Sequence, residues 1–171
     1  MEIDIGEGYA VRSFVPADRD AIVRYANNRK VWLGLRDLFP YPYTPENADA
    51  WLAHVKDLDP ETHYAIASPT ECVGGIGVTI KPDINRLSGE IGYWLGEPFW
   101  GRGISTRAVE AVTEYAFSNF DLVRVYAEVF SSNVASIRVL EKAGYVYEGR
   151  LRKYVIKDGE ILDMLIYAVV R

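Results

Sequence analysis

The stretch EPFWGRGISTRAVEAV, residues 97–112, sets two glycines around one arginine and then turns helical. A bare, kinked backbone at the mouth of a helix suits an anion, most often a phosphate. Glycine permits close approach, and the first helical turn leaves N–H groups without partners. Ile104, Ala108, Ala111, Val112 and Tyr115 recur at helical spacing behind the glycines, so this helix needs an apolar surface to cover.

The flanking segments supply that surface. YAVRSFV (9–15), HYAIAS (63–68), CVGGIGVTIK (72–81), SGEIGYWLG (88–96) and LVRVYAEVF (122–130) read as strands, and residues 146–170 as a hairpin of two long strands around KDG. Residues 16–28 carry a helical stripe of Ile22, Tyr25 and Ala26. Thr44 reads as an N-cap with Pro45 at the first helical position, and Trp51, Leu52, Val55 and Leu58 form the stripe that follows. NVASIRVLEKAGY reads as a helix stopped by Gly144. The expectation is a single α/β (α+β) domain over residues 1–171. Its mixed, mostly antiparallel sheet has six to seven strands, and about four helices accompany it.

Composition narrows the function. The net charge of −5 argues against general nucleic-acid binding, which needs a basic face. The one cysteine, Cys72, lies among apolar residues and glycine and reads as a core thiol. His54 and His63 have no metal-ligand spacing, so no metal is expected. No apolar run reaches the length of a membrane span, and the first residues do not resemble a signal peptide. A cytoplasmic protein, monomer or homodimer, is the expectation.

Three phosphate loops compete for residues 96–106. Gly96 and Gly101 have the spacing of a nucleotide P-loop, but Arg102 and Gly103 stand where Lys and Ser/Thr belong. GRGIST begins a dinucleotide fingerprint, but Thr106 occupies the third glycine position and the flanking elements are not repeated βαβ units. The third is the pyrophosphate loop of the GNAT superfamily of N-acetyltransferases. GEIGYWLGEPFWGRGISTRAV resembles that family's strand, loop and helix. NVASIRVLEKAGYVYEG and FPYPYTPENADAWL resemble blocks of its ribosomal-protein N-terminal (RimJ/RimL-like) branch. The likeness runs from about Tyr9 to Val170. The string WGRGIS departs from the family's R/Q-x-x-G-x-G/A at both ends, but a phosphate held by backbone N–H groups tolerates both changes.

The resemblance implies acetyl-CoA as cosubstrate and an amine acceptor. It assigns the pyrophosphate to Gly101, Arg102, Gly103, Ile104, Ser105 and Thr106, and the pantetheine arm to Trp94, Leu95 and Gly96, where two strands splay apart. Asn133 and Ser136 fall on the coenzyme side; read alone they are a helix cap and a first-turn residue, and the two readings agree. Glu90 is the candidate general base, since an alkylammonium must lose a proton before attack. Many family members place a tyrosine four residues before the glycine that ends the later helix. Leu140 stands there, so Ser136 becomes the candidate acid, with Tyr147 behind it.

Phe39, Tyr41 and Tyr43, in a loop stiffened by Pro40, Pro42 and Pro45, read either as an acceptor pocket or as a seal on the core. Arg150, Arg152 and Tyr154 are placed to reach the same cleft. The acceptor reads as a peptide N-terminus or a small amine such as a polyamine or an antibiotic. A non-catalytic acyl-CoA-binding module is the alternative from a different class.

Overall fold

A computed structural model describes residues 1–171. Along the chain run β1 (Glu2–Gly6), β2 (Tyr9–Arg12), α1 (Arg19–Ala26), α2 (Arg29–Trp32), α3 (Pro45–Lys56), β3 (His63–Ala67), β4 (Cys72–Ile80), β5 (Ser88–Leu95), α4 (Ile104–Asn119), β6 (Arg124–Phe130), α5 (Val134–Lys142), β7 (Val146–Lys157) and β8 (Glu160–Val170). The strands form one sheet in the order β1-β2-β3-β4-β5-β6-β8-β7, antiparallel throughout except for β5 beside β6.

The sheet has eight strands where six to seven were expected, and five α-helices where four were. The extra strand is β1: Ile3 and Ile5 alternate with Glu2 and Asp4, and Gly6-Glu7-Gly8 turns the chain back onto β2. The extra helix is the single turn α2, capped by the Asn28 side chain accepting from the Lys30 N–H at 2.9 Å. The other caps follow the sequence. Thr44 accepts from the Asn47 N–H and the Asn47 side chain accepts in return from the Thr44 N–H, a capping box with Asn at the third position. Gly144 ends α5 at φ +83°, with the Tyr145 N–H bonded to the Leu140 carbonyl.

Each sheet face has its own core. On one face Ile104, Val109 and Val112 of α4 and Leu140 of α5 pack on Val11, Tyr64, Ile66, Ile91 and Val125. On the other, α1 and α3 pack through Ile22, Ala26 and Ala48 against Ala65 and Cys72, with Phe39, Tyr43, Trp51 and Trp94 around them. Burying each large apolar side chain contributes about 1.5–3 kcal/mol. Burial also pushes the Cys72 thiol up to about 12, so it stays protonated. The glycines of β4 make room for rings on this second face: a Cβ at Gly75 would meet the Trp94 indole nitrogen at 2.7 Å, and one at Gly77 the His63 ring at 2.4 Å. No helix is long and apolar enough to cross a membrane.

Candidate active site

The glycine loop between β5 and α4 has the geometry its sequence asks for. Gly101 and Gly103 both lie in the left-handed region, at φ +73° and +72°. Nothing approaches a Cβ built on Gly101, and one on Gly103 would come 3.3 Å from an Arg107 nitrogen. The backbone N–H groups of residues 101–106 donate to no protein acceptor, so a row of N–H groups meets the positive end of a sixteen-residue helix. Arg102 stacks over the Tyr9 ring at 5.4 Å, and Arg107 donates to Glu7 at 3.0 Å and to the Arg102 carbonyl. Arg107 is a buttress that the glycine pattern does not advertise.

Beside the loop, two strands part. β5 and β6 pair only at Ser88–Arg124, Gly89–Val125 and Glu90–Tyr126; beyond Glu90 they diverge. The register decides which β5 groups face the gap. The Gly96 N–H donates to the Val73 carbonyl, and the Lys81 N–H to the Ser88 carbonyl. Even-numbered residues therefore turn their backbone groups toward β4, and Ile91, Tyr93 and Leu95 turn theirs toward the gap. Trp94 and Gly96 are thus committed to β4, and of the trio assigned to the arm only Leu95 offers backbone to the opening. Its carbonyl accepts from the Trp100 indole at 2.7 Å. Its N–H is the free partner on that side.

Across the gap, the Asn133 side chain caps α5 by accepting from the Ser136 N–H at 3.2 Å. The Ser136 hydroxyl lies 2.6 Å from the Tyr93 hydroxyl. Burial pushes the Tyr93 phenol up to about 12. Leu140 is fully buried in the core, so the hydroxyl pair forms one turn earlier on α5, from a strand tyrosine and a helix serine. The sequence reading missed Tyr93, because YWL in a strand gives no sign of which ring faces α5.

Glu90, Gly92 and Trp94 project to the opposite sheet face. Glu90 is 13% exposed, and both of its oxygens are engaged: Oε1 by Arg36, Oε2 by Lys81 at 2.5 Å. The same Arg36 nitrogen donates to Glu128 Oε2 at 2.8 Å. Burial is the largest single influence on Lys81 and works against its charge, but the hydrogen bond and the charge of Glu90, with Tyr126 beside them, together hold the ammonium above its usual range. These groups line a cavity of about 440 Å³, joined by Asp37, Lys157 and Tyr154. A Cβ at Gly92 would touch nothing, so the strand beside Glu90 is open.

The family model described as an acetyltransferase (GNAT) domain matches residues 10–146. The chain belongs to the GNAT acetyltransferases. The SPbeta prophage-derived uncharacterized N-acetyltransferase YokL of Bacillus subtilis (strain 168) is 29% identical over 168 residues, covering 97% of this chain and 92% of its own length. The spermidine N(1)-acetyltransferase of Escherichia coli (strain K12) is 24% identical over 121 residues, 71% of this chain and 64% of its own. The solved structure of RimL, a ribosomal L7/L12 alpha-N-protein acetyltransferase, in complex with coenzyme A superposes with a TM-score of 0.87. It is 22% identical and covers 99% of this chain and 98% of that one, which shows a common fold. As a GNAT enzyme the protein is an acetyl-CoA-dependent N-acetyltransferase.

The free N–H row at residues 101–106 fits a pyrophosphate, and the parted strands fit an extended amide arm. The acceptor-side aromatics divide differently from the sequence reading. Tyr43 is 5% exposed and packs on Phe39, which packs on Trp94; these rings seal the second core instead of lining the cavity. Tyr41 is half exposed and lies against Trp32, whose ring carries Lys157 Nζ at 3.5 Å. Tyr154 does line the cavity, delivered by a bulge in β7 where Lys153 adopts φ +52°. Tyr147 does not: it stands opposite Tyr167 in the β7–β8 register and contacts that ring, which belongs to the core under α4 and α5. Arg150 is held by Asp163 at 2.5 Å.

Proposed function

We propose that the protein acetylates the amino terminus of a peptide, with Glu90 as the group that takes the proton. One observation carries this reading: Glu90 is the last β5 residue paired to β6, so its carboxylate borders the point where the strands part, with open Gly92 next on the same face. An amine entering over Gly92 reaches the thioester carbon from the face opposite α4 and α5. Its nitrogen bonds to that carbon, its proton passes to Glu90, directly or through water, and the carbon–sulfur bond breaks. The Leu95 N–H is the donor for the carbonyl oxygen. A coenzyme A thiol resembles a cysteine thiol, about 8.5, so the phenol of Tyr93 at about 12 does not surrender its proton to the thiolate. The Ser136–Tyr93 pair acts as a hydrogen-bond donor to the departing sulfur.

A chain-like acceptor suits a cavity whose rim is exposed: Arg36, Asp37 and Tyr154 all stand in solvent. The fold shared with RimL accords with this, and the likeness to a spermidine acetyltransferase sets the competing acceptor. Thiol release from acetyl-CoA, measured with short peptides and with polyamines, tests the reading. Turnover of peptides with free but not blocked N-termini is the expected result; turnover of polyamines alone overturns it.

A further inference from the structure

The charges around Glu90 restrict which amines the site accepts. The cavity holds three cations, Arg36, Lys81 and Lys157, and three anions, Asp37, Glu90 and Glu128. All are paired with one another: Lys157 with Asp37 at 2.8 Å, Lys81 with Glu90, and Arg36 with both Glu90 and Glu128. An ammonium that docks on Glu90 brings a fourth positive charge and competes with its two partners for the same carboxylate. Lys81 is three-quarters covered and lies 5.7 Å over the Tyr126 ring, so it is held in place. Arg36 stands on an exposed loop after α2 and is 57% exposed, so it is the partner that yields. Once it leaves Glu90, its guanidinium keeps Glu128 and has donors to spare, in a planar fork that matches a carboxylate.

We infer that the acceptor is a primary amine that carries its own carboxylate close by, and that Arg36, released from Glu90, binds that carboxylate. This rests on the amine-acceptor reading above and names its class. Such an acceptor restores the charge balance that a polyamine upsets. The carboxylate comes either from an acidic side chain next to a peptide's terminal residue or from the α-carboxylate of a free amino acid.

Matched acceptors separate the possibilities: peptides differing only by Asp or Asn at the second residue, and a free amino acid against its amide. In the wild type the acidic member of the preferred pair is expected to show kcat/KM about fivefold higher, the size appropriate to a partly exposed charge pair. Preference in the peptide pair assigns the side-chain source, and in the amino-acid pair the α-carboxylate. Arg36→Gln should collapse that ratio toward one through the acceptor KM, and Arg36→Glu should invert it in favour of Lys at the second residue. Thermal unfolding confirms that both variants fold. Equal rates within both pairs, or a preference that survives Arg36→Gln, overturn the inference. If no peptide or amino acid is turned over, the same pairs are titrated calorimetrically into the coenzyme A-saturated protein. Tighter binding of the acidic member upholds the Arg36 contact while the acceptor reading fails, and equal binding overturns the contact as well.

Discussion

The two faces of the β5–β6 opening are built from different materials. The face that carries α4 and α5 offers backbone: free N–H groups of residues 101–106, the inward groups of β5, and one cap at Asn133. The opposite face, proposed for the acceptor, is built from side chains drawn from distant places, with Arg36, Lys81, Glu90 and Glu128 meeting in one cluster. Backbone geometry is set by neighbours in the chain and survives most substitutions. A side-chain cluster depends on every member, so one change redistributes the charges of the rest. The proposed coenzyme half thus rests on local backbone, and the proposed acceptor half on a long-range side-chain cluster.

Substitutions test this contrast. The largest expected effect is structural: Tyr43→Ala removes a buried ring from the second core and should cost about 3–5 kcal/mol, read as a lowered denaturation midpoint. A loss below ~1 kcal/mol would return Tyr43 to the acceptor pocket. Glu90→Gln comes next. It should lower kcat by roughly 10²-fold near neutral pH with acetyl-CoA affinity retained, and activity should recover above about pH 8, where an α-amine is already deprotonated. An unaltered pH–rate profile would leave Glu90 as a structural ion-pair partner and remove the chemistry from that face.

Gly103→Val challenges the backbone half. At φ +72° a branched residue is strained, and its Cβ presses on Arg107. Acetyl-CoA affinity should fall at least tenfold, about 1.4 kcal/mol, with the acceptor KM unchanged. Equal affinity in a folded variant, by calorimetric titration, would mean the loop does not hold the coenzyme. Tyr41→Ala should do least. Its ring is half exposed on Trp32, so stability should change by under ~1 kcal/mol and the acceptor KM should rise about threefold. If acetyl-CoA binding weakened as well, the two halves would not be independent.

Legibility in the sequence follows the same division. Gly101, Gly103 and the stripe of α4 lie within sixteen residues, and each local preference points the same way. Thr44, Pro45, Asn133 and Gly144 announce their caps for the same reason. β1 is legible too, in the alternation of EIDIG, but it is short and charged, so its signal is weak. The aromatic loop was not: Phe39, Tyr41 and Tyr43 alternate evenly in the chain, yet two of them enter a core and one does not. That outcome depends on where Trp94 and Trp32 sit.

By itself, then, the sequence determined a strand, a glycine loop with free N–H groups and an amphipathic helix, because these rest on φ angles, unpartnered first-turn N–H groups and a period of 3.6 that act over a few residues. The tertiary structure alone decided which side chains meet beside them. Tyr93 reaches Ser136 across 43 positions, and Arg36 reaches Glu90 and Glu128 across 54 and 92. No periodicity encodes such meetings. They follow from the register of β4 on β5 and from the short parallel pairing that lets β5 and β6 part just after Glu90.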